Sequence, residues 1–302
     1  MNTATATGEG QGHGPGPSLV PPAVLARLER YALHTTRRLS GLYPASHGSV
    51  RYGSSVDFAD YRQYHPGDDF RRIDYHLYAR LGVLALKLFE AEDDITVRLL
   101  VDTSASMSPD KLRQAARAAA CIGWIALCRR DAVTLQHFAD GVVAPLRFRG
   151  QGAAPALFGE LAGLRSGGST RFAGAARELL SRPGPRAITV VVSDLMTSEW
   201  MDGLDVLPSR GGEVLVVHVL DPDELDPQLF GDLDLIDAET GRVVPVSLTA
   251  DVQRSYREAA QAWLAEVEGR CRHLGAGYLR VLSDEDIGDA IIGAGVRRGL
   301  IR

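Results

Sequence analysis

The sequence predicts an α/β protein: a doubly wound, mostly parallel sheet behind an N-terminal helical and irregular extension. Three observations carry that expectation. Apolar runs of strand length alternate with helical stretches over about 200 of the 302 residues, the pattern of a parallel sheet covered on both faces. Two runs, RAITVVVSD (Arg186–Asp194) and EVLVVHVLD (Glu213–Asp221), are so rich in β-branched residues that they read as central strands. Two strands also end in an acid, RLLVD at Asp102 and TVVVSD at Asp194. If those strands are neighbours, both carboxylates emerge at one edge, where doubly wound sheets place their ligands.

Taken in order, residues 1–20 read as a disordered tail rich in Gly, Pro and Thr. Pro21 and Pro22 open a helix expected to run to about Ser40, on the spacing of Val24, Leu25, Leu28, Leu33 and Leu39. Gly53 to Gly82 is dense in Asp, Arg and Tyr, without clean periodicity, and VLALKLFEAED after it reads as a strand. From Ile95 the pattern is regular. A strand at Ile95–Val101 precedes an Ala-rich helix at Lys111–Arg130. Strands at Ala132–Phe138 and Val142–Phe148 flank Asp140-Gly141, a hairpin signal. Helices follow at Ala154–Leu161 and Phe172–Ser181, and another at Glu199–Leu207 lies between the two central strands. A polar hairpin spans Leu233–Val246, a long helix Asp251–His273, a last strand GYLRVLS, and a last helix Glu285–Gly299.

With 45% hydrophobic and 24% charged residues the composition is that of an ordinary globular chain. A net charge of -5 gives no reason to expect nucleic acid or an anionic membrane as partner. Three cysteines without a C-x-x-C fit a reducing compartment, with Cys121 and Cys128 read as small core residues. No apolar run reaches the roughly 18 to 20 residues of a membrane span, and the N-terminus lacks the basic and apolar regions of a secretion signal. A soluble, cytoplasmic protein is expected.

The chemistry concentrates in a few oxygens. Asp102-x-Ser104-x-Ser106 sits at a strand exit, where a loop that folds back makes alternate oxygens converge. SGGSTRF (Ser166–Phe172) offers a glycine-permitted turn that can bring Thr170 to the same point, and Asp194 ends a neighbouring candidate strand. Two close carboxylates repel unless neutralised, and a hard divalent cation takes this oxygen set. The plainer alternative is that the serines cap the following turn and helix while Asp194 caps its own.

This constellation resembles the metal-ion-dependent adhesion site of von Willebrand factor A domains; Thr170 and Asp194 follow Asp102 by 68 and 92 residues, offsets typical of that fold. Upstream, VDFADYRQYHPGDDFRRIDYHLYAR and then LKLFEAEDDITVRLLVDTSASM resemble the bacterial domain-of-unknown-function family fifty-eight. Asp57 stands where that family usually has Glu, and Tyr75 where it usually has Trp. The resemblance implies a tail at 1–20, a family-specific segment at 21–94 packed on the A domain, and the A domain at 95–302. It implies one Mg²⁺ (or Mn²⁺ or Ca²⁺), with Ser104, Ser106 and Thr170 as hydroxyl ligands and Asp102 and Asp194 acting partly through water. A cation held mostly by neutral oxygens stays electrophilic and takes an acidic side chain of a partner protein as its last ligand. It also implies a MoxR-type AAA ATPase partner in protein assembly or maturation. Many relatives carry transmembrane helices before this segment; the chain resembles the short soluble branch.

The expected function is therefore a metal-dependent protein-binding or scaffold module rather than an enzyme. There is no Walker A motif, so any ATP hydrolysis comes from another chain. The alternative is a metal-dependent hydrolase acting on phosphoesters, with Asp131, Asp221 and Asp223 as possible further carboxylates. A third reading is a structural protein whose site binds no metal. Arg62, Tyr64, Asp68, Asp69, Arg71, Arg72 and Asp74 form either a binding surface for carboxylate or phosphate or an internal ion-pair network. His65, His76 and His137 lack an accompanying nucleophile motif, and His218 inside a central strand reads as a satisfied core histidine.

Overall fold

Pro22 at the first helical position starts α1 (Pro22–Leu28), which buries Val24 and Leu28. The computed structural model of the chain describes residues 18–33, 57–65, 68, 70, 73–90, 96–181, 187–210 and 212–301. The helix is shorter than its apolar spacing suggests. Tyr31 N–H already turns back to the Leu28 carbonyl, and Leu33 makes an antiparallel bridge to Ile301. That bridge needs extended backbone, so tertiary pairing ends the helix. The expected tail is ordered at its end, with Val20 in the core; residues 1–17, and the expected helix beyond Leu33, lie outside the described residues.

The described residues form two compact units. One holds β1 (Asp57–Gln63), α2 (Tyr75–Leu81) and β2 (Ala85–Glu90), with β1 and β2 antiparallel. The helix starts because Asp74 accepts the His76 and Leu77 N–H groups, and it stops at Gly82, whose φ of 67° suits a residue without a Cβ. Neither β1 nor α2 shows clean periodicity, because α2 buries no side chain within this unit.

The other unit joins residues 18–33 to 96–301, so α1 groups with the sheet rather than with residues 57–90. Its elements are β3 (Thr96–Asp102), α3 (Pro109–Cys128), β4 (Ala132–Phe138), β5 (Leu146–Arg149), α4 (Ala154–Ala162), α5 (Phe172–Ser181), β6 (Ala187–Ser193), α6 (Trp200–Val206), β7 (Glu213–Leu220), α7 (Pro222–Leu225), β8 (Gly231–Ile236), β9 (Val243–Leu248), α8 (Ala250–His273) and β10 (Gly277–Leu282). A π-wound turn, Asp289–Ala294, runs into α9 (Gly295–Arg297) where a regular helix was expected, and this winding buries the consecutive Ala290, Ile291 and Ile292. The strand expected at Val142–Phe148 is reduced to β5, because Pro145 has no N–H for the ladder.

Six strands lie in the order β10-β7-β6-β3-β4-β5, all parallel except the β5 edge. Alternate residues feed two cores. Leu99 and Val101 face α1, α3 and α4, whereas Leu100 faces α5, α6 and α8. This is the doubly wound α/β architecture. The strand order reverses between β3 and β6, and parallel pairing there carries Asp102 and Asp194 to one edge.

The second core depends on one close approach. A Cβ on Gly203 in α6 would lie 2.3 Å from the buried Phe172 ring of α5. Gly203→Ala is therefore expected to destabilise the chain by about 1–3 kcal/mol through overpacking. Urea unfolding measures this; an unchanged midpoint would show that the ring can move aside.

Candidate metal centre

Three loops at the carboxyl edge of the sheet are stitched together by backbone hydrogen bonds. Thr103 N–H reaches the Phe138 carbonyl at 2.8 Å, Gly167 N–H the Thr103 carbonyl at 2.8 Å, and Ala105 N–H the Gly168 carbonyl at 2.9 Å. Gly168 takes φ 79°, and a Cβ there would lie 2.5 Å from Asp140 Oδ2, so glycine is required. Asp140 in turn accepts the Ser169 N–H and hydroxyl at 2.9 and 2.7 Å. This places the Thr170 loop against the D-x-S-x-S loop.

Asp102 is fully buried. Its Oδ1 accepts Ser104 N–H at 2.9 Å and its Oδ2 accepts the Ser193 hydroxyl at 2.6 Å. Burial, and then the charge of Asp194, push its carboxyl up to about 6. Ser104 Oγ and Ser106 Oγ are 3.0 Å apart, with Ser106 half-buried at the rim. Asp194 Oδ1 accepts Met196 N–H at 3.0 Å. Between them Leu195, fully buried, holds φ 53°, a left-handed conformation costly for a branched residue.

Asp194 has a second partner with no counterpart in the motif. Lys111, 1% exposed on the first turn of α3, donates to Asp194 Oδ2 at 2.7 Å and to Glu224 Oε1 at 2.5 Å. Burial pushes its ammonium down, and the two carboxylates more than offset this, leaving the pKa above the ordinary 10.5. Glu224 is held through its other oxygen by Asp221 N–H in a capping box at α7. Its carboxyl is nonetheless raised by burial. Thr170 also has an unexpected partner. Its hydroxyl and its N–H donate to Glu239 Oε1 at 2.5 and 3.1 Å, from the turn joining β8 to β9.

The residues fit a hard divalent cation. Ligands at adjacent octahedral positions about 2.1 Å from Mg²⁺ lie about 3 Å apart, the separation of the two serine hydroxyls. Lys111 pairs with Asp194 and Glu224, while Asp102 is left under the like charge of Asp194, a pressure that a cation relieves. Among the described residues no three His, Cys, Asp or Glu side chains cluster as a metal site, so any cation would have to rest on the hydroxyls.

The other sequence candidates lie elsewhere. Asp131 precedes β4, at the opposite edge of the sheet, and Asp221 caps α7 while accepting the Ser283 hydroxyl at 3.0 Å. His218 is a core histidine: Nδ1 lies 2.9 Å from Tyr278 OH and Nε2 2.9 Å from the Asp194 carbonyl, and burial lowers it to about 4. His137 in β4 is half-buried, and burial lowers its pKa. In the smaller unit Arg62 donates to Asp68 at 2.7 Å, Tyr64 N–H pairs with the Leu84 carbonyl at 2.9 Å, and Asp74 accepts Tyr61 OH at 2.9 Å. Asp69, Arg71 and Arg72 lie outside the described residues.

Lys111 carried a readable signal: it shares a helix face with Ala115 and Ala118, and a lysine on an apolar stripe needs a buried partner. Glu239 had none, since it meets Thr170 only across 69 residues of chain.

The family described as Protein of unknown function DUF58 matches residues 60–266, well over half the chain. This chain belongs to DUF58. The match begins in the smaller unit and ends within α8, so it includes every residue of the candidate centre. The uncharacterized protein Rv1480 of Mycobacterium tuberculosis is 28% identical over 289 residues, covering 88% of this DUF58 chain and 86% of that protein. The uncharacterized protein MAV169 of Mycobacterium avium is 34% identical over 111 residues, covering 36% of this chain and 65% of that one. Among solved structures, the conserved hypothetical protein BatB from Bacteroides thetaiotaomicron aligns with TM-score 0.40 and 15% identity, covering 68% of this chain and 98% of that one. The SpRpn10 VWA domain aligns with TM-score 0.33 and 10% identity, covering 65% and 93%. Among the described residues no helix is long and apolar enough to cross a membrane.

Proposed function

We propose that this chain is a protein-recognition module. It holds one divalent cation, Mg²⁺ in the first instance, through Asp102, Ser104, Ser106, Thr170 and Asp194, and uses it to take an acidic side chain of a partner. The observation that carries this reading is the grouping at the strand-order switch point: a buried carboxylate under like-charge pressure from Asp194, beside the buried Ser104 hydroxyl paired with that of Ser106 at the rim. The serines and Thr170 add oxygens without adding charge. A cation bound by them keeps its attraction for an incoming carboxylate. A MoxR-type AAA ATPase is the proposed associate, on family resemblance. The phosphoester-hydrolase reading loses its candidate extra carboxylates, since Asp131 lies at the far edge of the sheet and Asp221 and Asp223 belong to the cap and first turn of α7.

Calorimetric titration tests the first half: Mg²⁺ and Mn²⁺ are expected to bind at one equivalent, and Asp102→Ala to abolish that binding. Capture from a lysate of the producing organism tests the second half. A partner is expected with wild type and Mg²⁺, and not with EDTA or with Asp102→Ala. The same proteins in all four lanes would sink metal-dependent recognition.

A further inference from the structure

The hairpin of β8 and β9 forms a two-stranded sheet separate from the main one, and its turn reaches the candidate centre. The turn is rigidly built. Asp237 Oδ1 accepts Glu239 N–H at 3.1 Å, Thr240 N–H at 2.6 Å and the Thr240 hydroxyl at 2.7 Å. Gly241 N–H closes on the Asp237 carbonyl at 2.8 Å, and Gly241 takes φ 68°. This brace projects Glu239, and both hydrogen bonds that its carboxylate accepts among the described residues come from Thr170. An exposed glutamate on a hairpin tip ordinarily stays in water. This one is half-buried.

The geometry points to Glu239 as a built-in ligand: its carboxylate takes the position at the cation that a partner's Asp or Glu takes, and so holds the centre closed. This deepens the proposed function and rests on it. The carboxylate sits one hydrogen bond from Thr170, a proposed ligand, which puts it within reach of a cation held there. The hairpin is a movable holder for it. Leu235, Ile236, Val243 and Val244 along its strands are exposed, so withdrawing the tip unpacks little apolar surface. A partner therefore competes with an internal carboxylate already in place, and recognition is gated by hairpin displacement.

Mn²⁺ serves as the probe, followed by water-proton relaxation, which reports water bound directly to the ion, with acetate as a mobile carboxylate. Wild type, Glu239→Gln and Asp102→Ala are compared, and melting curves establish that each is folded. Glu239→Gln keeps an acceptor for Thr170 but loses the charge. It is expected to bind Mn²⁺ about tenfold more weakly, to show higher relaxation per bound ion, and to lose that excess when acetate is added. Wild type is expected to show low relaxation that acetate does not change. If Glu239→Gln matches wild type while Asp102→Ala still abolishes Mn²⁺ binding, the metal reading stands and the built-in ligand is overturned. If no variant shows Mn²⁺ binding dependent on Asp102, both fall.

Discussion

Replacing Lys111 with methionine is expected to lower the melting temperature by about 6–20 °C. The substitution keeps most of the volume and removes the ammonium. Asp194, fully buried, and Glu224 then lose the cation that holds them at 2.7 and 2.5 Å. Breaking a buried pair from one side costs about 3–5 kcal/mol, because the orphaned carboxylate keeps its desolvation penalty and loses its compensation. For a chain of this size each kcal/mol moves the melting point by about 2–4 °C. The double variant Lys111→Met with Asp194→Asn also removes the fully buried one of the two orphaned carboxylates, and should recover much of the loss. The folded ammonium pKa is raised, so the Lys111 contribution is fully present below pH 10.5 and is lost only as pH rises through the higher folded value. The deficit of the single variant should therefore be undiminished at neutral pH. Differential scanning calorimetry decides it: a melting point within two degrees of wild type would mean that water already solvates the pair.

Asp102→Asn is expected to do two opposite things. In chelator at pH 7.5 it should raise the melting temperature, by about 2–8 °C for roughly 1–2 kcal/mol; in Mg²⁺ it should abolish the stabilisation that the cation gives wild type. The folded carboxyl keeps its proton to about pH 6, against an ordinary 3.8. Between those values the folded chain binds more protons than the unfolded one, so metal-free wild type loses stability as pH rises from about 4 to about 6, and stays at that loss above. Asparagine carries no charge to penalise and can still pair with Ser193 and Ser104. The Mg²⁺ increment for wild type should accordingly be larger at pH 7.5 than at pH 5, where protons compete with the ion. A variant that is less stable than wild type in chelator would show that the carboxylate is satisfied without a cation.

Both effects sit at a place the sequence partly foretold. The alternation of strands and helices, the doubly buried character of β6 and β7, and the emergence of Asp102 and Asp194 at strand exits were all legible, because they follow from periods of two and 3.6 residues and from composition within short windows. A glycine-permitted turn in Ser166–Phe172 was legible too, and the structure then assigned the positive φ to Gly168. The paired strand β1 and the helix α2 were not. Their stabilising contacts are an antiparallel ladder from Asp57 to Glu90 and a cap at Asp74, neither of which leaves an apolar stripe.

By itself the sequence determined the fold class, the order of most elements, and which oxygens crowd the carboxyl ends of β3 and β6. Only the tertiary structure decided that β3 and β6 are neighbours, that α1 stops at Leu28, that Lys111 lies beneath Asp194, and that Glu239 closes over Thr170. The division has one physical cause. Propensity and periodicity act between residues a few positions apart, and so are written in the local chain. A buried charge is satisfied by whichever partner the fold delivers, and Lys111 meets its carboxylates across 83 and 113 residues, where no local preference reaches.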